Sequence, residues 1–423
     1  MAQARSASAG APASAAVAAL PRTTDMLVVG GGIIGLTLAL EFRRRHPDCG
    51  VTLIEKEAAC GLHASGRNSG VLHAGFYYTP DSLKARFTRD GNRALTEYCE
   101  RRGLPLRRCG KLVVARSRAD LAGLDDLLRR GRANGITLEA VTADEARRIE
   151  PRARTHERAL FSPTTASVSP AAVIAALVAD ARSAGITVAT GTAYRGRAGG
   201  GRGEATVRTS SGPIAAGYVI NAAGLYADRI ARQYGFADRY RIVPFKGAYL
   251  YGDRAAPGFR VHIYPVPDVA TPFLGVHVTA LADGGVKLGP TATPAFWREH
   301  YAGLGNFSLR ECLEVARLEA GFFARNDFGF RDLAVRELSR GRRRLVQLAA
   351  ELATGLDAAR FRRWGPAGIR AQLVDVNART LEMDFAFEGD DRSFHVLNAV
   401  SPAFTCALPM SAYLVDRVEQ HLG

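Results

Sequence analysis

The first strong apolar signal in the chain is residues 26–29, a branched run of the length expected for a buried parallel strand. It leads into three spaced glycines, Gly30-x-Gly32-x-x-Gly35, and then an apolar stretch whose length predicts a helix over 33–46. A second short run, 51–54, predicts another strand and ends on Glu55. Further on, the pattern predicts helices over 80–102, 120–134 and 171–184, with Gly103 and Gly185 as stops. Thr142 and Glu145 form a capping-box pair, and Ser169-Pro170 reads as a cap followed by a first-turn proline. Strands are predicted at 111–115, 186–189, 205–209 and 218–221, with a glycine-rich turn over 196–203.

From about Val243 the pattern changes to short alternating segments, 248–251, 261–264, 273–279 and 286–288, which read as antiparallel strands. Arg-rich helical sequence fills 307–356, and Gly-Pro turns, a strand at 394–398 and a last helix over 409–421 close the chain. The expected class is α/β: a Rossmann-like dinucleotide domain with an inserted α+β substrate domain on a mixed, largely antiparallel sheet. The expected division is a disordered tail at 1–24, a cofactor domain from 25–105, 160–240 and 360–423, and a substrate domain from 106–159 and 241–359.

The glycine triplet has a mechanical reading. Gly30 permits the tight turn, Gly32 lets backbone approach a pyrophosphate, and Gly35 lets helix and strand pack closely. The helix N-terminus presents N–H groups and partial positive charge to that pyrophosphate. Glu55 follows at the distance where a carboxylate accepts both ribose hydroxyls, which argues against a 2′-phosphate. NAD and FAD both fit to this point. The next loop, 63–78, is rich in Gly, Ser and Asn and suits a larger cofactor threading past it.

With 423 residues, two full cores are affordable, and 47% hydrophobic with 23% charged residues is the balance of a globular protein. The formal charge of +15 invites a nucleic-acid reading, but only five residues are lysine (Lys56, Lys84, Lys111, Lys246, Lys287) and the arginines are dispersed. No nucleic-acid partner is expected. No apolar run reaches membrane-spanning length, leaving a peripheral membrane contact as a use for the charge. The six cysteines show neither CxxC nor metal-type spacing, so unpaired thiols in a reducing compartment and no metal are expected. Residues 1–24 are small, polar and acid-free, a disordered extension or, in the alternative, a mitochondrial transit peptide. A cytoplasmic location, peripheral at the inner membrane, is otherwise expected.

The segments NSGVLHAGFYY, INAAGLYAD, YPVPD, FLGVH, LGPTA, GIRAQ and NAVSPAFT, in that order, resemble the L-2-hydroxyglutarate dehydrogenases and oxidases. These belong to the D-amino-acid-oxidase-like FAD superfamily. The resemblance covers the chain from Asp25 onward. It implies FAD, with Gly30, Gly32 and Gly35 at the pyrophosphate and Glu55 and Lys56 at the adenosine end. Ser65, Asn68, Ser69, Gly70 and Val71 would line the pyrophosphate and flavin, and Ala223 and Gly224 the adenine half. Gly365, Gly368, Ser401, Pro402 and Thr405 would bring backbone to the flavin ring. Two departures stand on the implied substrate side: Ala248, where many relatives have an acid, and the loop 268–272, which lacks their arginine and aromatic residue.

The implied reaction oxidises L-2-hydroxyglutarate to 2-oxoglutarate, C2 giving hydride to flavin N5 and a base taking the hydroxyl proton. A quinone or oxygen would receive the electrons. Arg370 is the expected carboxylate clamp, since a guanidinium forks a carboxylate in two hydrogen bonds, with Lys246 second. His277 is favoured as the base and His73 as the residue orienting substrate or flavin. His262, Tyr264 and Tyr78 are weaker candidates for the pocket. The alternative is FAD-dependent oxidation of an amino or N-methylamino acid. A non-catalytic flavoprotein and an NAD-dependent dehydrogenase are the remaining classes.

Overall fold

The computed structural model describes residues 20–198, 205–267, 275–339 and 341–423. Strand β1, Thr23–Val29, buries its last four residues completely or nearly so. It pairs in parallel with β2, Val51–Ile54, on one side and with Gly212–Asn221 on the other. Thr187–Ala189 extends the parallel run beyond β2, and Ser393–Asn398 joins the far end of Gly212–Asn221. Two antiparallel strands, Tyr194–Ala198 and Ala205–Thr209, finish that edge. The start of the expected turn over 196–203 is therefore strand, and 199–203 lies outside the described residues.

Helix α1, Ile33–Arg45, follows the glycine turn and buries Ile33, Ile34, Leu36, Leu38, Ala39 and Phe42. Its apolar surface is wide because it packs against both Pro170–Ser183 and Ala403–Leu422. Full burial of a Leu, Ile or Phe side chain stabilises by roughly 1.5–3 kcal/mol, so this one helix anchors much of the lobe. Ala403–Leu422 corrects the expected last helix, which was to begin at Pro409. It starts six residues earlier and carries Pro409 inside it. The apolar face of Ala403, Cys406, Ala407, Met410, Leu414 and Val418 is buried throughout, and that burial outweighs the backbone bond the proline removes.

The expected caps are present. Glu145 N–H donates to Thr142 Oγ1 at 3.3 Å and Thr142 N–H donates to Glu145 Oε2 at 2.8 Å. Ser169 Oγ accepts from Ala172 N–H at 3.4 Å, with Pro170 in the first turn. The helix expected over 80–102 spans Leu83–Arg101, because Ser82 Oγ accepts from Ala85 N–H at 3.1 Å and sets its start.

A second eight-stranded sheet is built on His262–Pro265, which runs parallel to Lys111–Val114; its other neighbours are antiparallel. His277–Ala280 and Val286–Gly289 lie on one side, Arg158–Ser162 and Glu139–Thr142 on the other. The strand expected over 273–279 is thus His277–Ala280, and residues 273 and 274 lie outside the described residues, as does the departing loop 268–272. Gly368–Asp375, where Gly-Pro turns were expected, is an eight-residue strand paired along its length with Tyr240–Gly247. The Arg-rich segment after 307 forms three helices, Leu309–Arg325, Phe330–Leu338 and Arg342–Ala350.

The segment leading into these helices is tied to the nucleotide-type lobe by a buried ion pair. Arg298 Nη1 and Nη2 donate to Asp228 Oδ1 and Oδ2 at 2.7 and 2.9 Å, and Ile242 N–H donates to the same carboxylate at 3.2 Å. Arg298 is 1% exposed and Asp228 0%, so removing either leaves a buried charge with only a longer ion pair, to Glu314 or Arg232, both at 3.6 Å. Asp228→Ala is expected to lower stability by about 3–5 kcal/mol in urea unfolding. Arg147→Ala, at an exposed helix pair, is expected to change it by no more than about 1 kcal/mol. Equal effects of the two substitutions would contradict this assignment.

Candidate active site

A cavity of about 680 Å³ runs from the first turn of α1 to the second sheet. At one end, Gly30 has φ +116°, and a Cβ there would stand 2.5 Å from Ala222 O. Gly30 N–H donates to Ile54 O and Ala222 N–H to Val29 O, both at 2.9 Å, so three parallel strands end on this turn. Gly35 closes the helix onto it: a Cβ at Gly35 would collide with Gly30 O. The cavity is lined here by Gly30, Gly32, Ile33, Ile34 and Glu55. Ile33 N–H donates to Ser65 Oγ at 2.9 Å, and Glu55 accepts from Gly31 N–H at 2.8 Å and Glu57 N–H at 2.9 Å. Two backbone donors thus aim the carboxylate into the place where a ribose would sit.

Most of the sequence-predicted cofactor residues converge on this one space. Gly30, Gly32, Glu55, Lys56, Ser65, Asn68, Ser69, Val71, Ala223, Gly224, Gly368, Ser401, Pro402 and Thr405 all line it. Three do not. Gly35 acts through helix packing, as its place in the triplet implies. Gly70 takes φ +72° with its Cα face against Val168 O, a turn position. Gly365 packs on the Tyr251 ring, away from the cavity. Lys56 is already paired, its Nζ lying 2.6 Å from Glu299 Oε1 and against Glu57. That ammonium sits among Glu57, His63 and Glu299, the carboxylates and imidazole that converge at this end, and serves them as counter-ion.

A cradle free of Cβ atoms, a helix N-terminus, a carboxylate at one end and backbone from 401–405 at the other fit a long dinucleotide. The fit holds on geometry alone. Cys60 Sγ lies beside Gly31 and Cys406 Sγ near Thr88 Oγ1 at 3.4 Å; burial pushes both thiols up to about 12, as in core cysteines.

At the other end of the cavity stand Arg370, His73, His277 and Tyr264. Arg370 is on the strand Gly368–Asp375, and its Nε donates to Gln372 Oε1 at 3.1 Å. Gln372 is two residues on, hence on the same face of the strand, and its Nε2 donates to Glu382 O at 2.9 Å. This orienting residue was missed in the sequence, although the alternation in GIRAQ contained it. Burial brings the Arg370 guanidinium down to about 10, so it stays protonated at neutral pH. Lys246 does not line the cavity. Its neighbours Phe245 and Gly247 do, and strand alternation turns Lys246 to the opposite face.

His277 has a defined tautomer. Its Nδ1 lies 3.0 Å from Gly275 O, a group that can only accept, so Nδ1 carries the proton and Nε2 the lone pair. Nε2 is buried and has no partner among the described residues. The ring stacks on Tyr264 with centroids 3.8 Å apart and planes 17° apart. Burial holds His277 down at about 3, assisted by the charges of Lys111 and Lys287 and opposed by the Gly275 bond. His73 is held well below its ordinary value, chiefly by burial and then by Lys111. His73 Nδ1 is likewise buried without a partner among the described residues, while its backbone N–H donates to Thr405 Oγ1 at 3.2 Å. His262 is a satisfied core histidine outside the cavity, its Nδ1 accepting from Ala280 N–H at 3.2 Å. Tyr78 lies outside the lining too, though its phenol and the Arg370 charge act on one another.

Comparison with known proteins adds identity to this geometry. A family model described as FAD dependent oxidoreductase matches residues 25–417. The L-2-hydroxyglutarate dehydrogenase of Escherichia coli (strain K12) is 37% identical over 412 residues, 94% of each chain. The mitochondrial L-2-hydroxyglutarate dehydrogenase of Mus musculus is 36% identical over 416 residues, covering 93% of this chain and 88% of the relative. Among solved structures, FAD-bound L-alpha-glycerophosphate oxidase from Mycoplasma pneumoniae superposes with a TM-score of 0.76 at 22% identity, covering 94% of this chain and 95% of that one. Glycine oxidase from Geobacillus kaustophilus gives 0.70 at 22% identity, covering 95% of each. These two likenesses establish the fold.

The buried histidines make stability depend on pH. His262 and His277 are held at about 3, His395 at about 4 and His73 well below 6.5, burial being the main cause in each. Once unfolded they titrate near 6.5, so below that pH the unfolded chain binds protons that the folded chain does not, and stability falls. Glu319, pushed up to about 8 by burial, works in the other direction between about 8 and 4.5 and offsets one of these protons. Each net proton is worth roughly 1.4 kcal/mol per pH unit. The thermal midpoint is expected to be lower at pH 5.5 than at pH 7.5, with net proton uptake on unfolding measurable by calorimetry in buffers of different ionisation enthalpy. An unchanged or higher midpoint at pH 5.5 would contradict it.

Proposed function

This chain belongs to the FAD dependent oxidoreductase family, and from that premise we propose that it oxidises L-2-hydroxyglutarate to 2-oxoglutarate. The observation that carries the reading is one cavity lined by a nucleotide turn, a guanidinium fixed by Gln372, and an imidazole whose unprotonated nitrogen has no partner among the described residues. Bound FAD supplies the hydride acceptor for the C2 hydrogen. Arg370 forks the carboxylate next to C2 and so fixes which face of the hydroxy acid is presented. His277 Nε2 accepts the hydroxyl proton, and His73 and Tyr264 shape the wall around C2. Burial makes His277 hold a proton poorly; an incoming dianion offsets that by favouring the charged imidazolium beside it. The walls of buried Phe245, Val71 and Tyr264 exclude water while the proton moves.

Among the described residues no helix is long and apolar enough to cross a membrane. In this reading the electrons go on to a quinone or to oxygen. A peripheral membrane contact is supported by exposed Leu304, Phe307, Leu309 and Leu313, with exposed Arg310 and Arg317 on the same helix face region.

Anaerobic mixing of the FAD-loaded protein with L-2-hydroxyglutarate is expected to bleach the flavin band, with the D-isomer, glycine, sarcosine and proline at least about 100-fold slower in kcat/KM. Bleaching by an amino acid in preference to the hydroxy acid would overturn the substrate assignment. Arg370→Met is expected to lower kcat/KM roughly 100-fold, most of it in KM, and His277→Asn to slow flavin reduction by about 10²–10⁴. If the His277 and His73 variants both reduced flavin at the parent rate, neither would be the base.

A further inference from the structure

One buried lysine behind the cavity wall has no counter-ion among the described residues. Lys111 is 0% exposed, and its Nζ has no hydrogen-bond partner among the described residues. Three rings enclose the ammonium, with centroids 4.6 Å away for Phe76, 4.7 Å for Tyr77 and 4.8 Å for Tyr264. Ring faces attract a cation, but they leave all three of its N–H donors unused and replace only part of its lost hydration. Among the described residues no carboxylate acts on it; burial, opposed slightly by the Cys109 thiol, brings it down to about 7. The contrast with Lys287 is direct, because that second buried lysine donates to Asn68 O at 3.3 Å.

The place of Lys111 in the fold connects it to the site. Its strand runs parallel to His262–Pro265 with Lys111 in register with His262, and Tyr264 stands two residues on, opposite Val113. Tyr264 stacks on His277, and both rings line the cavity, so the ammonium lies one ring behind the wall. A dicarboxylic hydroxy acid held by Arg370 at one end brings a second carboxylate, which needs a fixed positive charge. Lys246, the sequence-based choice for it, faces the other side of its strand.

We infer that Lys111 selects for the distal carboxylate of the substrate, its buried charge drawing that group toward the Tyr264 ring and away from the His277 nitrogen that faces C2. The inference rests on the dicarboxylate reading above. It makes Lys111 a specificity-determining residue and leaves the proton and hydride chemistry to the residues already placed. A 2-hydroxy acid that ends in a methyl group would leave the cation uncompensated, and this is the basis of discrimination.

The test compares kcat/KM for L-2-hydroxyglutarate and L-2-hydroxybutyrate in the FAD-loaded wild type, Lys111→Met and Lys111→Gln. Flavin absorbance and the thermal midpoint show which variants are folded and loaded; Lys111→Gln keeps a polar side chain should the methionine variant fail to fold. The ratio of the two kcat/KM values is expected to fall about 30-fold or more in a folded variant, the size of effect seen when one partner of a buried charge pair is lost. A ratio within about threefold of wild type overturns the inference, and so does an equal loss for both acids, which marks a merely structural lysine. Wild type that fails to oxidise L-2-hydroxyglutarate refutes the substrate reading instead, so the two failures are separate.

Discussion

At Gly30 and Gly35 backbone lies against backbone, and both contacts exist only because neither residue carries a Cβ. A side chain at Gly30 would strike Ala222 O, and one at Gly35 would strike Gly30 O, so the strand ends and α1 would have to separate. The rest of the cradle inherits its position from that closeness. Glu55 is held by N–H groups on either side of the turn, Ser65 reaches the first N–H of the helix, and the Gly212–Asn221 strand delivers Ala223 and Gly224 to the same space. The cost of such a backbone-on-backbone arrangement is borne by burial of α1 between two other helices.

The opposite wall obeys a different constraint, the two-residue period of strands. Arg370 and Gln372 share one face of their strand, while Phe245 and Gly247 share the cavity face of its partner, leaving Lys246 outside. On the His262–Pro265 strand the period puts His262 and Tyr264 on one face, and hydrogen bonding separates them: Tyr264 lines the cavity while His262 is tied into the sheet. Selecting His277 over His262 therefore follows from hydrogen bonding. One histidine spends its Nδ1 lone pair on a backbone N–H, and the other spends its Nδ1 proton on a carbonyl and keeps a lone pair for chemistry.

The parts legible in the sequence were those with local causes. The strand–turn–helix at 23–45, the capping box at Thr142 and Glu145, and the Ser169-Pro170 helix start each depend on residues a few positions apart. The errors had distant causes. Pro409 reads locally as a helix start, yet contacts hundreds of residues away, such as Thr37 Oγ1 to Ser411 Oγ at 2.6 Å, hold the helix through it. The resemblance implied that Gly365 meets the flavin, but Tyr251 from the second sheet occupies its face. Lys111 sits in an ordinary apolar strand, and only the pairing of that strand with His262–Pro265 brings three aromatic rings around it. Motif residues of the resemblance reached the cavity because backbone turns fix them; side chains on strands needed the register.

A crystal structure of the FAD-loaded protein soaked with 2-oxoglutarate would show ring, acid and side chains together. One carboxylate of the acid is expected on the Arg370 guanidinium, with the C2 oxygen within hydrogen-bond reach of His277 Nε2. An acid bound away from Arg370, or a His277 whose Nε2 is occupied by a protein partner when the site is full, would contradict it.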